Sequence, residues 1–247
     1  MSTSRVVPSL DEHGFVVIPQ VLASKEVADV LNVVRATSSD MPGVMRDRDV
    51  YAVRHALNVF PLLPKALMLP ALLNMVHLHF VKKAFITKSI WFEKPPGGNW
   101  FVGWHQDISI SVAQRIDVPG YSRWTAKHGV VGVVPPLAIL QRTLTMRIHL
   151  DDADGENGAV RVIPGSHRAG ILPPPAPGTE GVLCAVPAGG VMLMRPLLMH
   201  ASSRSRTERP RRVLHLELND LELEGGLEWA ERRTIPALNS WNLRFTR

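Results

Sequence analysis

The feature that most constrains the fold is a succession of short extended segments over residues 84–218. Several alternate apolar and polar residues, which is the pattern of half-buried β-strands. In the clearest of them, 144–150, Thr145, Arg147 and His149 share one face and apolar residues share the other. Turn residues recur between the segments, and the strand–helix–strand alternation of a parallel sheet is not visible. The pattern predicts an antiparallel jelly roll or barrel.

The preceding part of the sequence is more helical in character. A short strand is predicted at 15–18, and Ser24 is a suitable N-cap for a helix whose apolar residues recur at helical spacing. Further helices are predicted at 51–60 and 66–79, with prolines between them. We expect these helices to pack outside the β core.

The length of 247 residues is sufficient for one sizeable core, so a single domain is expected. Residues 1–83 would form its helical N-terminal portion, 84–218 the jelly-roll core and 219–247 a C-terminal extension. The segment 108–142 has few clear signals apart from turns. We interpret it as an inserted loop, because long irregular segments beside a site are often lids or binding loops.

Composition limits the possible classes of function. The formal charge of +6 favours anionic partners, but the basic residues are scattered, so nucleic-acid binding is not expected and a small molecule is the expected partner. A single cysteine, Cys184, excludes an intrachain disulfide framework and a cysteine-based zinc site. The sequence has no apolar stretch long enough to cross a bilayer and no signal-peptide pattern at Met1–Leu10, so a cytoplasmic protein is expected.

A candidate metal site begins in the tetrad Trp104-His105-Gln106-Asp107. In an extended segment His105 and Asp107 point to the same face, since side chains alternate with period two. One more histidine would complete the two-histidine, one-carboxylate set that binds iron(II) and leaves positions open for oxygen chemistry. His200 is the best candidate, because it follows a predicted strand and precedes a polar loop. The alternatives are a structural His–Asp pair and a surface histidine.

An arginine after the candidate ligands is placed to bind a carboxylate near the metal. Arg211 comes 11 residues after His200 and opens the last clear strand. Its predicted face is shared with Val213, His215 and Glu217. A rigid guanidinium near an iron centre is a suitable bidentate partner for a carboxylate cosubstrate.

The order of these motifs resembles the phytanoyl-CoA dioxygenase family of iron(II)- and 2-oxoglutarate-dependent oxygenases. The similarity runs through Gly14-Phe15-Val16-Val17, Trp104-His105-Gln106-Asp107, Asn157-Gly158, Pro164-Gly165-Ser166-His167, His200-Ala201-Ser202 and Arg211-Arg212. It covers nearly the whole chain in the family's order. The resemblance implies a mainly β fold with flanking helices around a double-stranded β-helix, the cupin-like jelly roll.

The resemblance also implies a metal site and a reaction. His105, Asp107 and His200 would bind iron(II), with 2-oxoglutarate and O2 as cosubstrates and ascorbate as an aid in vitro. Oxidative decarboxylation to succinate and CO2 would accompany hydroxylation of an unactivated C–H bond. Related halogenases have a small residue at the position of Asp107, so the carboxylate favours hydroxylation.

The cosubstrate contacts follow from the same resemblance. Arg211 would bind the distal carboxylate of 2-oxoglutarate, with Ser202 beside it. Lys88 occupies the place on the preceding strand that often adds a polar contact in the family, and Arg147 is a further candidate. A capping hydroxyl and a surface lysine are the ordinary alternatives for Ser202 and Lys88.

The substrate is the least constrained part. Arg54, which we place on a helix before the β core, and Trp104 are candidate contacts to a small anionic or lipid-like metabolite, with surface and core roles as alternatives. Two other classes of function fit the same ligands, a non-catalytic jelly-roll metal-binding protein and a zinc-dependent hydrolase. Arg211 argues against the hydrolase, which needs no inward arginine after its last ligand.

Overall fold

The computed structural model describes residues 6–37, 45–47, 50–80, 83–94, 101–127 and 129–236. The helices of this part are α1 (Val6–Glu12), α2 (Ser24–Thr37), α3 (Ala56–Val59), α4 (Leu63–Ala66), α5 (Pro70–His79) and α6 (Leu137–Arg142). The strands are β1 (Phe15–Ile18), β2 (Met45–Asp47), β3 (Val50–Arg54), β4 (Phe85–Lys94), β5 (Val102–His105), β6 (Ile110–Val112), β7 (Ser122–Lys127), β8 (Val130–Val134), β9 (Leu144–His149), β10 (Val160–Val162), β11 (Val182–Cys184), β12 (Val191–Met194), β13 (His200–Ser202), β14 (Arg211–Asn219) and β15 (Arg233–Thr234).

The strands form antiparallel sheets. The largest sheet has the order β1-β12-β9-β14-β4-β3-β2, with β15 also paired to β4. A smaller sheet has the order β11-β10-β13-β5. Val160 and Val162 of the smaller sheet pack against Met192 and Met194 of the largest, so the two sheets face each other across an apolar layer. This is the predicted double-stranded β-helix, and the fold class is confirmed.

The helices cover the outer face of the largest sheet. Alternate residues of β9 and β14, such as Ile148 and Leu214, point outward and pack with Val30 of α2 and Leu73 of α5. This arrangement follows from the period-two alternation, because the outward residues are apolar and the intervening residues face the other sheet. Arg147 of β9 and Arg211, His215 and Glu217 of β14 are therefore directed into the space between the two sheets.

Trp91 lies at the centre of this outer layer, and its replacement gives a direct test of the packing. Its side chain is 0% exposed and meets Phe60 edge to face at 6.2 Å between ring centroids. We expect Trp91→Ala to lower the free energy of unfolding by about 3–5 kcal/mol, because it leaves a large cavity. Urea denaturation measures the change. Leu78→Ala, at a site 51% exposed, is the control and should change stability little.

The predicted helix over 51–60 is wrong in its first half. Val50–Arg54 is strand β3, paired with β4 in the register Val53↔Trp91, and only Ala56–Val59 is helical. Val53 is fully buried in the outer core, so strand pairing and burial determine the structure here. The portion 1–83 therefore contributes strands to the largest sheet as well as helices.

The segment 108–142 is not an irregular loop. Strands β6, β8 and β7 form a third antiparallel sheet, and α6 follows it. Its apolar residues pack with Phe85, Leu227 and Trp229, which joins the insertion to the start of β4 and to the C-terminal part. Within the described ranges, none of the helices combines the length and apolarity needed to span a membrane. Residues 237–247 of the predicted C-terminal extension lie outside the described part.

Candidate metal centre and cosubstrate site

Two neighbouring strands of the smaller sheet bring the predicted metal ligands together. His105 ends β5, His200 begins β13, and the two residues are paired in the register of the sheet. Asp107 follows β5 in a segment fixed by a hydrogen bond from its amide to the carbonyl of Pro196, at 2.9 Å. Its carboxylate lies 3.8 Å from Nε2 of His105 and 3.7 Å from Nε2 of His200. One ligand atom from each residue thus lies within 4.8 Å of the others.

Backbone carbonyls orient both imidazoles. Nδ1 of His105 donates to the carbonyl of Gly103 at 2.8 Å, and Nδ1 of His200 donates to that of Leu198 at 2.9 Å. A carbonyl only accepts hydrogen bonds, so Nδ1 carries the proton in each neutral ring. Each Nε2 is therefore the atom with a free lone pair, on the side of the ring near Asp107, and hydrogen bonds to the other nitrogen commonly orient metal-binding histidines in this way.

The protonation states suit a metal cation. Burial alone raises the pKa of Asp107, but the imidazoles of His200, His215 and His105 outweigh it and lower that pKa to about 2. Burial lowers the pKa of His200 to about 4. At neutral pH a carboxylate and a neutral imidazole thus face each other, which are the forms that bind a metal without displacing a proton.

The three residues border a cavity of about 310 Å³ between the two sheets, which we call the metal cavity. Its apolar walls come from Ile90, Phe92, Val102, Val160, Ala201 and Val213. Its polar lining comprises Arg54, Lys88, His105, Asp107, Ser109, Arg147, His200, Ser202, Arg211, His215 and Glu217. Most of the polar residues predicted from the sequence therefore meet in one space.

One end of this cavity has unpaired polar atoms, and we call it the cosubstrate end. Nε of Arg211 and Oγ of Ser202 are buried without a hydrogen-bond partner among the described residues, and so is Nε of Arg147, which lies between this end and His215. Arg211 also donates to the carbonyl of Gly158. Burial, assisted by the charge of Arg147, lowers the pKa of Arg211 to about 10, so the guanidinium stays charged at neutral pH. Buried donors of this kind call for an acceptor anion, and a dicarboxylate such as 2-oxoglutarate fits them.

Lys88 belongs to the other end of the cavity. Its Nζ lies 2.7 Å from Oε1 of Glu217 and also donates to the carbonyl of Ser109. Glu217 is six positions after Arg211 on β14, which corresponds to about 20 Å along a strand. The predicted contact between Lys88 and the cosubstrate stays a prediction, because Lys88 is paired with Glu217 and not with a group beside Arg211.

The two candidate substrate residues occupy different places. Arg54 is on strand β3 rather than on a helix, because that segment pairs with β4, and its exposed side chain lies at the border of the metal cavity. Trp104 does not line that cavity. Its Nε1 donates to the carbonyl of Thr179 at 3.3 Å, and its ring borders a neighbouring cavity of about 460 Å³ that it shares with His105.

Gln106 has a structural role that the sequence pattern did not indicate. Its Nε2 donates to the carbonyls of Gly170 and Leu197, and its Oε1 accepts from the amide of Leu172 at 2.7 Å. The side chain is 9% exposed, so these are largely buried hydrogen bonds. Gln106 thereby joins the loop after His167 to the segment that precedes His200.

Replacing Gln106 should destabilise the protein without removing a metal ligand. We expect Gln106→Ala to cost about 1–3 kcal/mol of stability, because the buried carbonyl of Leu197 loses its donor. Urea unfolding of the metal-free protein measures this cost. Gln141→Ala, at an exposed position of α6, is the matched control. Equal stability of the two variants would contradict the role given to Gln106.

This combination of fold and site defines the class of iron(II)- and 2-oxoglutarate-dependent oxygenases. The family model described as phytanoyl-CoA dioxygenase (PhyH) matches residues 10–213, and the chain belongs to that family. It is an iron(II)- and 2-oxoglutarate-dependent dioxygenase, with O2 as the second cosubstrate. The family assignment confirms the resemblance seen in the motifs.

Solved structures share the fold at low identity. EctD from S. alaskensis with bound Fe has a TM-score of 0.67 and 20% identity, covering 89% of this chain and 76% of that one. The non-heme monooxygenase ThoJ has a TM-score of 0.68 and 17% identity, over 95% and 85% of the two chains. The α-ketoglutarate-dependent carbocyclase SnoK has a TM-score of 0.60 and 19% identity, over 90% and 85%. These likenesses extend over most of the chain.

Proposed function

We propose that the protein hydroxylates an unactivated C–H bond of a small substrate, with His105, Asp107 and His200 as the ligands of iron(II). The observation that carries the proposal is the convergence of three ligand atoms, from two histidines and one carboxylate, within 4.8 Å. When bound, the metal supplies the oxidative chemistry, coupled to decarboxylation of 2-oxoglutarate to succinate and CO2. The protein contributes ligation, positioning and a shielded cavity.

Arg211 and Ser202 are proposed to bind the distal carboxylate of 2-oxoglutarate. This assignment is supported by Nε of Arg211 and Oγ of Ser202, which are buried and unpaired. Both atoms would gain a hydrogen-bond acceptor when an anion enters the cosubstrate end. Arg147 adds positive charge beside them, and its NH1 contacts Nδ1 of His215 at 3.2 Å. We therefore propose that Arg147 orients the cosubstrate and balances its charge, whereas Arg211 and Ser202 contact its distal carboxylate.

Three further residues bear on the reaction and the substrate. Asp107 supplies a carboxylate where related halogenases have a small residue, so hydroxylation is proposed over halogenation. Arg54, with no ion pair among the described residues, is proposed to bind an anionic group of the substrate at the border of the cavity. Trp104 is proposed not to contact the substrate in the metal cavity, since its ring borders the neighbouring cavity.

We also propose that residues 1–247 form one oxygenase domain, because β1 to β3 and β15 complete the largest sheet.

The proposal is tested with purified protein, iron(II), ascorbate and labelled 2-oxoglutarate. Slow release of labelled succinate without added substrate is the expected result, and the release should increase when the correct substrate is present. A non-catalytic metal-binding module or a zinc hydrolase predicts no succinate under any of these conditions. Zinc as the bound metal, together with no succinate, would overturn the proposed function.

A further inference from the structure

The end of the metal cavity opposite Arg211 is formed by Glu217, Lys88 and His215, and we call it the polar end. Glu217 is 4% exposed and lies on the inward face of β14. The pairing of β14 with β4 shifts in register between Glu217 and Leu218, next to the Lys88–Glu217 pair. Bulges of this kind redirect side chains and are frequent beside active sites. The local irregularity thus coincides with a buried charge in the cavity.

Glu217 is held in one orientation by two neighbours. Nζ of Lys88 lies 2.7 Å from Oε1, and Nε2 of His215 lies 3.4 Å from the same oxygen. Burial alone raises the pKa of Glu217, but Lys88 and His215 outweigh it and hold that pKa below its ordinary value. Within the described part of the chain, Oε2 accepts no hydrogen bond. Glu217 is therefore a carboxylate that lines the cavity and has one acceptor oxygen, Oε2, free to accept a hydrogen bond.

This cluster is a poor second metal site. Asp107, His215 and Glu217 do offer ligand atoms within 4.8 Å of one another. However, the guanidinium of Arg147 can only donate, so Nδ1 of His215 accepts from it and the proton of that ring lies on Nε2. The lone pair needed for a metal is absent from Nε2, and the ammonium of Lys88 repels a further cation. A hydrogen-bond donor is the ligand that fits Oε2.

We propose that Glu217 positions the substrate by accepting a hydrogen bond from a hydroxyl or ammonium group, and so selects which C–H bond lies at the metal. This inference rests on the proposed function. One oxygen of Glu217 lies within 4.8 Å of the carboxylate of Asp107, so a group held by Glu217 is adjacent to the metal ligands. Lys88 and His215 are positioning residues that keep the carboxylate charged and directed.

The position of Arg54 relative to Glu217 indicates a class of substrate. Arg54 is opposite Ile90 on β4, and Glu217 is opposite Lys88, so two strand spacings and two residues separate Arg54 from Glu217. This corresponds to about 12 Å between backbones, with both side chains reaching into the gap. A small molecule with a carboxylate at one end and a donor group several bonds away could bind both residues, the carboxylate at Arg54 and the donor at Glu217. The class is that of short hydroxy acids and amino acids.

Binding of matched probes tests the proposal. The anaerobic enzyme with iron(II) and 2-oxoglutarate is titrated calorimetrically with 5-aminopentanoate, 5-hydroxypentanoate, 5-methoxypentanoate and hexanoate. The wild type should bind the ammonium and hydroxyl probes at least about tenfold more tightly than the other two, because only they donate to a carboxylate. Glu217→Gln should lose the preference for ammonium by about tenfold and keep part of that for hydroxyl, since an amide oxygen still accepts.

Two controls separate binding from folding. Glu231→Gln changes another buried carboxylate, which pairs with His55 outside the metal cavity, and should leave the order of affinities unchanged. The double variant Lys88→Gln/Glu217→Gln removes both charges, so it avoids an unpaired buried ammonium and should also lose the ammonium preference.

The outcomes are decisive for this inference alone. If Lys88 and Glu217 form only a structural pair, Glu217→Gln will lower the melting temperature and leave the order of affinities unchanged, which overturns the proposal. Failure of all four probes to bind the wild type overturns it as well. Succinate release without a probe is measured in the same preparations. If that release persists while probe selectivity is absent, the inference fails and the proposed function stands.

Discussion

Replacement of His105 by alanine is expected to abolish iron(II) binding and, with it, succinate formation. The reason is that Nε2 of His105 supplies one of three ligand atoms, and its ring is already oriented by the carbonyl of Gly103. Loss of a group that hydrogen-bonds to a metal ligand typically costs about 10- to 100-fold in metal affinity, so loss of a ligand itself should cost more than about 100-fold. Iron content after anaerobic loading and dialysis measures the effect directly, independently of activity.

A matched histidine variant shows whether the loss is specific. His77 lies on α5, where its Nε2 contacts the carbonyl of Pro236 at 3.2 Å, remote from the metal cavity. We expect His77→Ala to bind iron like the wild type, whereas His200→Ala should fail like His105→Ala. Equal iron content in the His105 and His77 variants would show that the ligands have been assigned wrongly.

The convergence of the three candidate ligands could be predicted from sequence because two of them are local. His105 and Asp107 are separated by a single residue, and alternation along an extended segment places them on one face. The choice of His200 needed the order of motifs, since the register that pairs it with His105 joins two strands distant in sequence. Such pairing is a tertiary property, and no local pattern in either strand encodes it.

The errors have a common physical cause. The sequence places Arg54 on a helix, but strand β3 is stabilised by its pairing with β4 and by burial of Val53. Neither can be recognised from a short stretch of sequence. The insertion 108–142 shows few clear signals in the sequence apart from turns, yet β6, β7 and β8 pair with one another in it. In it, a Cβ on Gly132 of β8 would lie 2.6 Å from Oγ1 of Thr125 on β7, so the glycine permits the close approach of these strands.

At the polar end of the cavity, the sequence predicts which residues share a strand face but not which residues they pair with. The sequence predicts that Arg211, His215 and Glu217 share the inward face of one strand, and the structure places all three in the metal cavity. The partner of Lys88 could not be predicted, because it depends on the register of β14 against β4 and on the shift near Glu217. The structure shows Lys88 paired with Glu217, and its contact with the cosubstrate stays a prediction.

Replacement of Arg211 by alanine is expected to raise the KM for 2-oxoglutarate about 10- to 100-fold, because charge-assisted hydrogen bonds to the distal carboxylate are lost. Iron content should stay near that of the wild type, since Arg211 is not among the candidate ligands. Arg211→Lys should be intermediate, because an ammonium keeps the charge but not the planar fork. Succinate release at varied 2-oxoglutarate measures KM and kcat for each variant.

The control for this second prediction is Arg209→Ala, which removes an exposed arginine two residues earlier, paired with Asp154 on the surface. Its KM should be unchanged, so a general loss of positive charge is separated from loss of the buried guanidinium. If Arg211→Ala has a wild-type KM while Lys88→Gln raises it, the cosubstrate carboxylate lies at the polar end. The cavity would then be occupied in the reverse direction, and the unpaired donors of Arg211 and Ser202 would belong to the substrate.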